Sequence, residues 1–537
     1  MNTPLRVAIV GMGSAGRRRA DALRALPDLY ELVAVCDVRD VVDPPDVPAF
    51  TDHRQLLAGG PALDVVLVCT SNEVTRVVVE DALAAGKHVF CEKPAGRSTL
   101  ETEALARAAR GAPGRLAFGF NHRQHGSVRA ALALAHGGEL GRLIFARGVY
   151  GKSELSGWRA DPAISGGGIL LDQGIHLLDL ISRFCGDFSE VQAMVGAPHW
   201  SAGADDNVFA LLRTDDGVVA SLHSSATQWQ HTFRLELAFS EGSLVLDGLV
   251  TGSRSYRAAD GSAETLTVRR NGSTGAEVSR YEYDRDDSWE RELAAFAAVL
   301  RGGAEQDLCD TDDALAVMRL VGRVYDAALA SGDAAVGRAW HADAITSYRA
   351  RLGRLVTTAS WDKLEELSRL CLAAHREGRD IYVAGNGGSA ATAAHWATDL
   401  RHAFPRARGL RVFALGQNVA FTTAAANDRG YEGAFTEEAQ ETLNPGDVVI
   451  VISASGNSPN ILHLLKHADE HGAHTVAVTG FDGGKAAKVA QLTVHTPGSI
   501  GDYGPAEDIH LALGHALMER LRELAAQHEG AKSVVTL

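Results

Sequence analysis

Four groups of residues in this chain have types and spacings that could do chemistry. Lys93 follows the apolar run His88–Cys91 in Cys91-Glu92-Lys93-Pro94. An ammonium at a strand end can donate to a substrate hydroxyl and bias the loss of its proton. Asp172 and His176 stand four apart after Ser165-Gly166-Gly167-Gly168. On a helix they share one face, and a carboxylate neighbour tunes an imidazole to take a proton near neutral pH. His395 and Asp399 repeat that spacing, while Glu507 and His515 lie eight apart with His510 between them. Two helices could thus present two imidazoles and two carboxylates, a set suited to zinc or another divalent ion. The fourth group is backbone: Gly11-Met12-Gly13-Ser14-Ala15-Gly16, Gly385-Asn386-Gly387-Gly388-Ser389 and Ser453-Ala454-Ser455-Gly456-Asn457-Ser458. Each follows an apolar run and opens a helix, which offers free N–H groups to a phosphate. Taken singly, each group also has a bland reading as a solvated Lys, a capping Asp beside a core His, surface helix residues or an ordinary helix cap.

The elements that must position these groups are legible in the hydrophobic pattern. From residue 5 to about 120, buried strand-like runs (Arg6–Val10, Leu32–Cys36, Val65–Cys69, His88–Cys91, Leu116–Phe120) alternate with amphipathic stretches such as Arg17–Leu26 and Thr75–Ala85. That alternation predicts a parallel sheet covered on both faces. The first glycine loop follows a strand, opens a helix and precedes Asp37 at the end of the second strand, the pattern for a dinucleotide on a Rossmann domain. Asp37 favours NAD because it would repel a 2′-phosphate, and Arg39 leaves NADP open. Residues 141–285 change to period-two runs (Val208–Arg213, Val218–Ser224, Phe233–Phe239, Ser243–Leu246), predicting an antiparallel open sheet. An open sheet needs cover, from the helix expected over Asp172–Arg183 or from another subunit. After a small, polar linker at Ser331–Arg338, strand–helix alternation returns with strands at Asp380–Ala384, Arg411–Ala414, Val448–Ser453, Thr475–Thr479 and Leu492–Thr496. The expected fold class is α/β. It comprises a Rossmann domain at 1–122, an α+β open-sheet domain at 123–335 and a doubly wound α/β domain at 341–537.

Bulk properties narrow the partners. With 537 residues and a net charge of −15, and no block of Lys/Arg, the chain is not expected to bind nucleic acid or an anionic membrane. Six scattered cysteines without a C-x-x-C pair, and a strand within a few residues of the N-terminus, predict reduced thiols in a cytoplasmic protein. No apolar run approaches the length of a membrane span.

As a set, the first-half motifs, Gly-x-Gly-x-x-Gly, Glu92-Lys93-Pro94, Gly119-Phe120-Asn121-His122-Arg123 and the glycine-rich run ending at Asp172 and His176, resemble the glucose–fructose oxidoreductase / inositol dehydrogenase / MocA (Gfo/Idh/MocA) family over residues 5 to about 335. The resemblance implies a nicotinamide-dependent sugar or cyclitol dehydrogenase. His176 would be the general base, Lys93 would orient the hydroxyl, and Asp172 would bind substrate and assist His176. It implies a cofactor site at Gly11, Met12, Gly13, Ser14, Ala15, Gly16, Asp37, Thr70, Asn72, Glu92 and Lys93. Arg123, Trp158 and Arg159 would line the substrate pocket. Ser71 and Thr75 depart from the Pro and His that members often carry there.

Residues 341–530 resemble the sugar isomerase (SIS) fold and, within it, the phosphoheptose isomerases, through the Asn-Gly-Gly-Ser loop, Ala426-Asn427-Asp428, the serine loop and Glu507-x-x-His510-x-x-x-x-His515. This implies phosphate on Ser453, Ser455 and Ser458. Sugar hydroxyls would meet Asn386, Gly387, Gly388, Ser389, Asn427 and Asp428, with Glu507 beside the substrate. Acid/base work maps to Asp399 and His515, and a divalent metal, zinc, to His395, Asp399, Glu507 and His515. Asp399 stands where the family has Glu, Glu507 where it has Gln, and Gly504 where it has Asp. The reading is therefore a bifunctional sugar enzyme, a homo-oligomer of two or four copies. The rival is a dehydrogenase whose SIS domain only senses a sugar phosphate or serves assembly.

Overall fold

The computed structural model describes residues 3–39, 47–196, 199–200, 203–249, 264–272, 275–304, 307–330, 344–404 and 409–534. It divides into two compact units, Met1–Asp343 and Ala344–Leu537. The expected linker at Ser331–Arg338 lies outside the described residues.

In the first unit, β1 (Leu5–Val10), β2 (Tyr30–Cys36), β3 (Ala49–Phe50), β4 (Val65–Val68), β5 (His88–Glu92) and β6 (Leu116–Gly119) form a parallel sheet of order β3-β2-β1-β4-β5-β6. Its strands are apolar throughout because helices cover both faces; all four residues of β4 are buried. The order reverses between β1 and β4, which opens a crevice at the carboxyl ends of the strands. There β1 feeds the first glycine loop, and β5 ends at Glu92, one residue before Lys93. β3 has only two residues, too few for a periodic signal, and the sequence pattern did not reveal it.

The second sheet contains β7 (Leu143–Gly151), β8 (Glu190–Val195), β9 (Asn207–Arg213), β10 (Val219–Ser225), β11 (Thr232–Phe239), β12 (Gly242–Asp247), β13 (Glu264–Gly272) and β14 (Gly275–Tyr283). Their order is β14-β13-β12-β11-β7-β10-β9-β8, antiparallel except where β7 and β10 meet. The helix Ile175–Cys185 covers the inner face, burying Ile175, Leu177, Leu178, Leu180 and Ile181 completely. Each such side chain contributes about 1.5–3 kcal/mol. Close seating requires Gly148 on β7, where a Cβ would lie 2.7 Å from Leu177 Cδ1. Packing therefore aims His176, which sits on this helix. The regular helix expected from Asp172 is corrected in one respect: Leu170–Gly174 is wound as a π-turn, a distortion frequent at functional sites. The outer face of the sheet exposes Phe145, Met194, Phe209, Leu211 and Val219.

In the second unit, β15 (Asp380–Gly385), β16 (Arg411–Ala414), β17 (Val448–Ser453), β18 (His474–Thr479) and β19 (Leu492–His495) form a parallel sheet of order β16-β15-β17-β18-β19. The switch point lies between β15 and β17, the strands that lead into the Asn-Gly-Gly-Ser and serine loops. Two helices, Gly388–Arg401 and Tyr503–Val534, pack through Trp396, which is 1 % exposed, and Gly514. A Cβ at Gly514 would fall 2.1 Å from Trp396 Nε1, and that nitrogen donates to the His510 carbonyl at 3.0 Å. His395 precedes Trp396 and His515 follows Gly514, so this contact sets the two imidazoles against each other.

All six cysteines are free thiols, and no described helix is long and apolar enough to cross a membrane.

Candidate active sites

The three glycines of the first loop have separable roles. Gly11 adopts φ +95°, and a Cβ there would sit 2.5 Å from the Cys69 carbonyl oxygen. Gly16 packs its Cα against Gly11, whose carbonyl oxygen would be 2.0 Å from an added Cβ. Gly13 faces open space at the N-terminus of the helix Ser14–Arg24, with nothing within 4 Å of an added Cβ. A tight turn, close helix packing and an unobstructed approach to free N–H groups fit a pyrophosphate. Asp37 is oriented by the backbone N–H groups of Met12 at 2.8 Å and Arg39 at 3.0 Å. The Arg39 side chain stays 3.8 Å from that carboxylate and reaches into solvent. Fluorescence titration is accordingly expected to give tighter binding of NADH than NADPH, with Asp37→Ala narrowing the gap. Preference of the unmodified protein for NADPH would transfer the choice to Arg39.

Gly11, Gly13, Asp37 and Arg39 edge a cleft of about 1380 Å³ that also reaches Thr70, Asn72, Glu92, Lys93, Trp158, Arg159, Asp172 and His176. Thr70 Oγ1 meets Thr75 Oγ1 at 3.0 Å, and the Asn72 amide donates to the Ser165 carbonyl at 2.7 Å. Met12 is buried behind the loop. Glu92 bonds the buried Arg19 at 2.7 Å while still edging the cleft.

Deeper in the cleft, Lys93 Nζ donates to the Asp172 carbonyl and lies 3.4 Å from its Oδ1. Arg159 Nε reaches the same Oδ1 at 3.2 Å, and Lys152 Nζ reaches Oδ2 at 2.5 Å. Burial alone would raise the Asp172 pKa, but Lys152, Lys93 and Arg159 together hold it well below the usual carboxylate range. Burial lowers the Lys93 pKa against the pull of Asp172. Burial, then Lys93, holds His176 well below the ordinary histidine value, with Asp172 opposing. The His176 ring stacks on His122 at 3.9 Å and 18°. His122 is itself fixed by Tyr150 Oη at 2.9 Å and Asn121 Oδ1 at 3.2 Å. His176 Nδ1 is buried and has no hydrogen-bond partner among the described residues.

Arg123 requires a correction, since it does not line the pocket. It is 2 % exposed and turned into the core, where Asp179 accepts from Nε at 2.8 Å and from Nη2 at 2.5 Å; Asp313 lies 2.5 Å from Nη1. A buried guanidinium must be paired, and two carboxylates satisfy it away from the cleft. Sequence reasoning missed Lys152 and His122. The signal for Lys152 was a charge immediately after a strand, and His122 lay in the quoted Gly-Phe-Asn-His-Arg run.

In the second unit the Asn386 amide donates to Asn460 Oδ1 at 2.9 Å, tying the first loop to the helix Pro459–Glu470 after the serine loop. Tyr431 donates to Asn386 Oδ1 at 3.0 Å. In the serine loop, Ser453 Oγ accepts from the Gly456 N–H at 3.1 Å and Ser455 Oγ from Asn457 at 3.3 Å. Ser458 caps the following helix without a side-chain bond, so its hydroxyl is uncommitted there. Ser389 is buried in the first turn of its helix. Asn427 and Asp428 bond each other at 3.1 Å on the exposed helix Val419–Arg429, just before Tyr431.

His395 Nε2 lies 3.0 Å from His515 Nε2 and 3.1 Å from Asp399 Oδ2, and His515 Nε2 lies 3.7 Å from that oxygen. Zinc with bonds of roughly 2.0–2.2 Å in a tetrahedron places its ligand atoms about 3.3 Å apart. The three donors lie close enough together to hold a divalent ion. Glu507 does not join them, which corrects the four-residue ligand set. Its Oε2 would lie 2.3 Å from a Cβ on Gly388, at the start of the helix that carries His395. From there His515 is eight residues away, about 12 Å of helix rise.

Comparison with known proteins finds relatives of both halves of the chain. The family described as oxidoreductase family, NAD-binding Rossmann fold, matches residues 5–120, the GFO/IDH/MocA C-terminal domain matches 128–245, and the SIS domain matches 345–480. The phosphoheptose isomerase of Aquifex aeolicus is 36 % identical over 166 residues, 31 % of this chain and 86 % of that protein. That of Sulfurimonas denitrificans is 38 % identical over 161 residues, 29 % of this chain and 80 % of that protein. Among solved structures, levoglucosan dehydrogenase with NADH aligns at TM-score 0.52 and 21 % identity over 60 % of this chain and 97 % of that one. The aldose–aldose oxidoreductase of Caulobacter crescentus with glycerol aligns at TM-score 0.53 and 22 % identity, again over 60 % and 97 %. At that identity the structural likeness concerns the fold. Residues 5–120 and 128–245 thus match the two domain models of the Gfo/Idh/MocA oxidoreductases, and through its SIS segment the chain belongs to the phosphoheptose isomerase family.

Proposed function

We propose that the first unit oxidises or reduces a carbinol of a sugar, sugar phosphate or cyclitol with NAD(H), NADP(H) remaining the alternative. We propose further that the second unit interconverts an aldose and a ketose phosphate of the sedoheptulose 7-phosphate type. The domains in this reading are 1–122, 123–335 and 341–537. The observation that carries the first half is the convergence of Lys93, Asp172 and His176 in a cleft that begins at the open Gly13. Thr70, Asn72 and Glu92 would hold the nicotinamide, which would supply the hydride acceptor or donor. His176, which lines the cleft, takes the hydroxyl proton. Lys93 donates to the hydroxyl oxygen and so favours the developing alkoxide. Asp172 positions Lys93 and favours its charged form against the effect of burial. Trp158 and Arg159 hold the rest of the substrate.

In the second half the phosphate is held by Ser453, Ser455, Ser458 and the N–H groups that open the helix Pro459–Glu470. Asn386, Gly387, Gly388, Ser389, Glu507, Asn427 and Asp428 face the sugar hydroxyls. Asp399 moves the proton between C2 and C1, and His515 moves the one between O2 and O1, so an enediol forms and collapses without net oxidation. His395, Asp399 and His515 would hold a zinc ion, which would supply Lewis-acid polarisation of the sugar carbonyl. Asp399 Oδ2 faces the two imidazoles, which leaves Oδ1 for the proton. The apolar outer face of the eight-stranded sheet supports self-association, and the reading is of a cytoplasmic homo-oligomer of two or four copies.

Incubation with pentose, hexose and heptose phosphates, with and without NAD, tests both halves. Isomerisation independent of NAD and NADH formation dependent on it are expected, with about one divalent metal retained per chain. One feature favours the sensing reading: the Asp399 arm is one methylene shorter than the Glu of the resembling isomerases. Binding of a sugar phosphate by calorimetry with no isomerisation and no metal would establish that reading instead.

A further inference from the structure

The substrate end of the first cleft carries more positive charge than its acid/base chemistry uses. Three cations, Lys93, Lys152 and Arg159, converge on the single carboxylate of Asp172. Lys93 is spent on Asp172 and the reacting hydroxyl. Arg159 touches Asp172 through Nε alone, at 3.2 Å, and its guanidinium lies over the Trp158 ring at 4.4 Å. That stacking fixes the plane, and no hydrogen bond among the described residues engages the two terminal nitrogens. A stacked guanidinium with two free donors matches the paired oxygens of a carboxylate or phosphate. Lys152, carried just past the end of β7 and held by its own N–H to the Ser225 carbonyl at 2.9 Å, brings a second cation to the same place. Of the other acids at this end, Glu92 is bound by Arg19, and Glu154 bonds Ser156 Oγ at 3.1 Å. The cleft volume of about 1380 Å³ exceeds the ~300–1,000 Å³ usual for one small ligand, leaving room for a substrate beside a dinucleotide.

We propose that the carbinol substrate of the oxidoreductase half bears an anionic group, a phosphate or a carboxylate, bound by Arg159 and Lys152 while its hydroxyl is presented to Lys93 and His176. This rests on the dehydrogenase reading above and narrows it to acidic sugars. Asp172 then serves as the internal counter-ion of Lys152 and Arg159 and shares these cations with the substrate anion. Arg159 and Lys152 are specificity residues that act by charge; the proton and hydride steps are unchanged.

Fluorescence of NADH bound to the full-length protein reports on this cleft and not on the SIS half. The NADH complex is titrated with matched pairs, glucose against glucose 6-phosphate and galactose against galacturonate, with inorganic phosphate as competitor. At least one anionic member is expected to bind 10-fold or more tighter than its neutral partner, the scale of a charged hydrogen bond. Whether the phosphate or the carboxylate pair shows it identifies the anion. Arg159→Met should erase that advantage, and Arg159→Lys, which keeps charge but not the fork, should restore part of it. Equal affinity within both pairs overturns the proposal, as does an Arg159→Met effect equal on neutral and anionic sugars. In both cases NADH binding and NAD-linked oxidation of a neutral sugar would leave the dehydrogenase reading standing. Failure to bind NADH at all would remove that reading and this one together.

Discussion

His176→Ala is expected to lower NAD-linked turnover about 10²–10⁴-fold, the usual scale for a lost acid/base group, while NADH affinity stays close to that of the unmodified protein. No neighbour can substitute. His122 is stacked on His176, but Tyr150 and Asn121 occupy its ring nitrogens. Lys93→Ala should cost a similar factor, because Lys152 and Arg159 are directed at Asp172. The pH profile separates the two roles. Burial and Lys93 hold the His176 pKa below its ordinary value of about 6.5, so the acid limb of kcat/KM should lie below that pH. Removing the Lys93 charge with Lys93→Met removes one of the lowering influences and should move that limb upward. Near-normal turnover in both alanine variants would mean that these residues only hold the fold.

The second large effect concerns His515. His515→Ala should reduce aldose–ketose interconversion of a phosphorylated sugar by about 10²–10⁴-fold, because acid/base and metal-ligand functions meet in one imidazole. Metal content should fall with it, as only His395 and Asp399 of the close group would remain. NAD-linked oxidation should be unchanged, since the oxidoreductase residues belong to a separate compact unit. Isomerisation that survives while metal is lost would assign the proton transfers to Asp399 alone.

Much of this architecture was readable because buried parallel strands are both short and continuously apolar. All six residues of β17 are buried, and the sequence reading placed that strand at the same residues. The two glycine loops were legible for the same reason: a strand must end and a helix begin where the backbone meets a ligand. What failed was direction. An Arg just after a strand can turn to the crevice or to the core, and Asp179, which decides the matter for Arg123, lies 56 residues away. Lys152 was invisible as a site residue because its partner Asp172 is 20 residues on, across a strand end and a loop. Glu507 and His515 sit on one helix at a spacing that suits a metal, but the helix Gly388–Arg401 receives them at different levels. The π-turn at Leu170–Gly174 left no composition signal, since the same residues would also form an α-helix.

The two strand–glycine–helix turns of this chain look interchangeable in the sequence and differ in what fills them. No described atom lies within 4 Å of a Cβ built at Gly13, whereas at Gly388 the Glu507 carboxylate lies against the backbone. An anion supplied by the protein itself thus neutralises the positive end of the second helix. A nucleotide pyrophosphate would have to displace a tethered carboxylate there, whereas at Gly13 no described side chain stands in its way. The stoichiometry of nicotinamide binding should consequently be one per polypeptide, however alike the two turns look. A titration on the whole protein can then be read as a property of its first half alone.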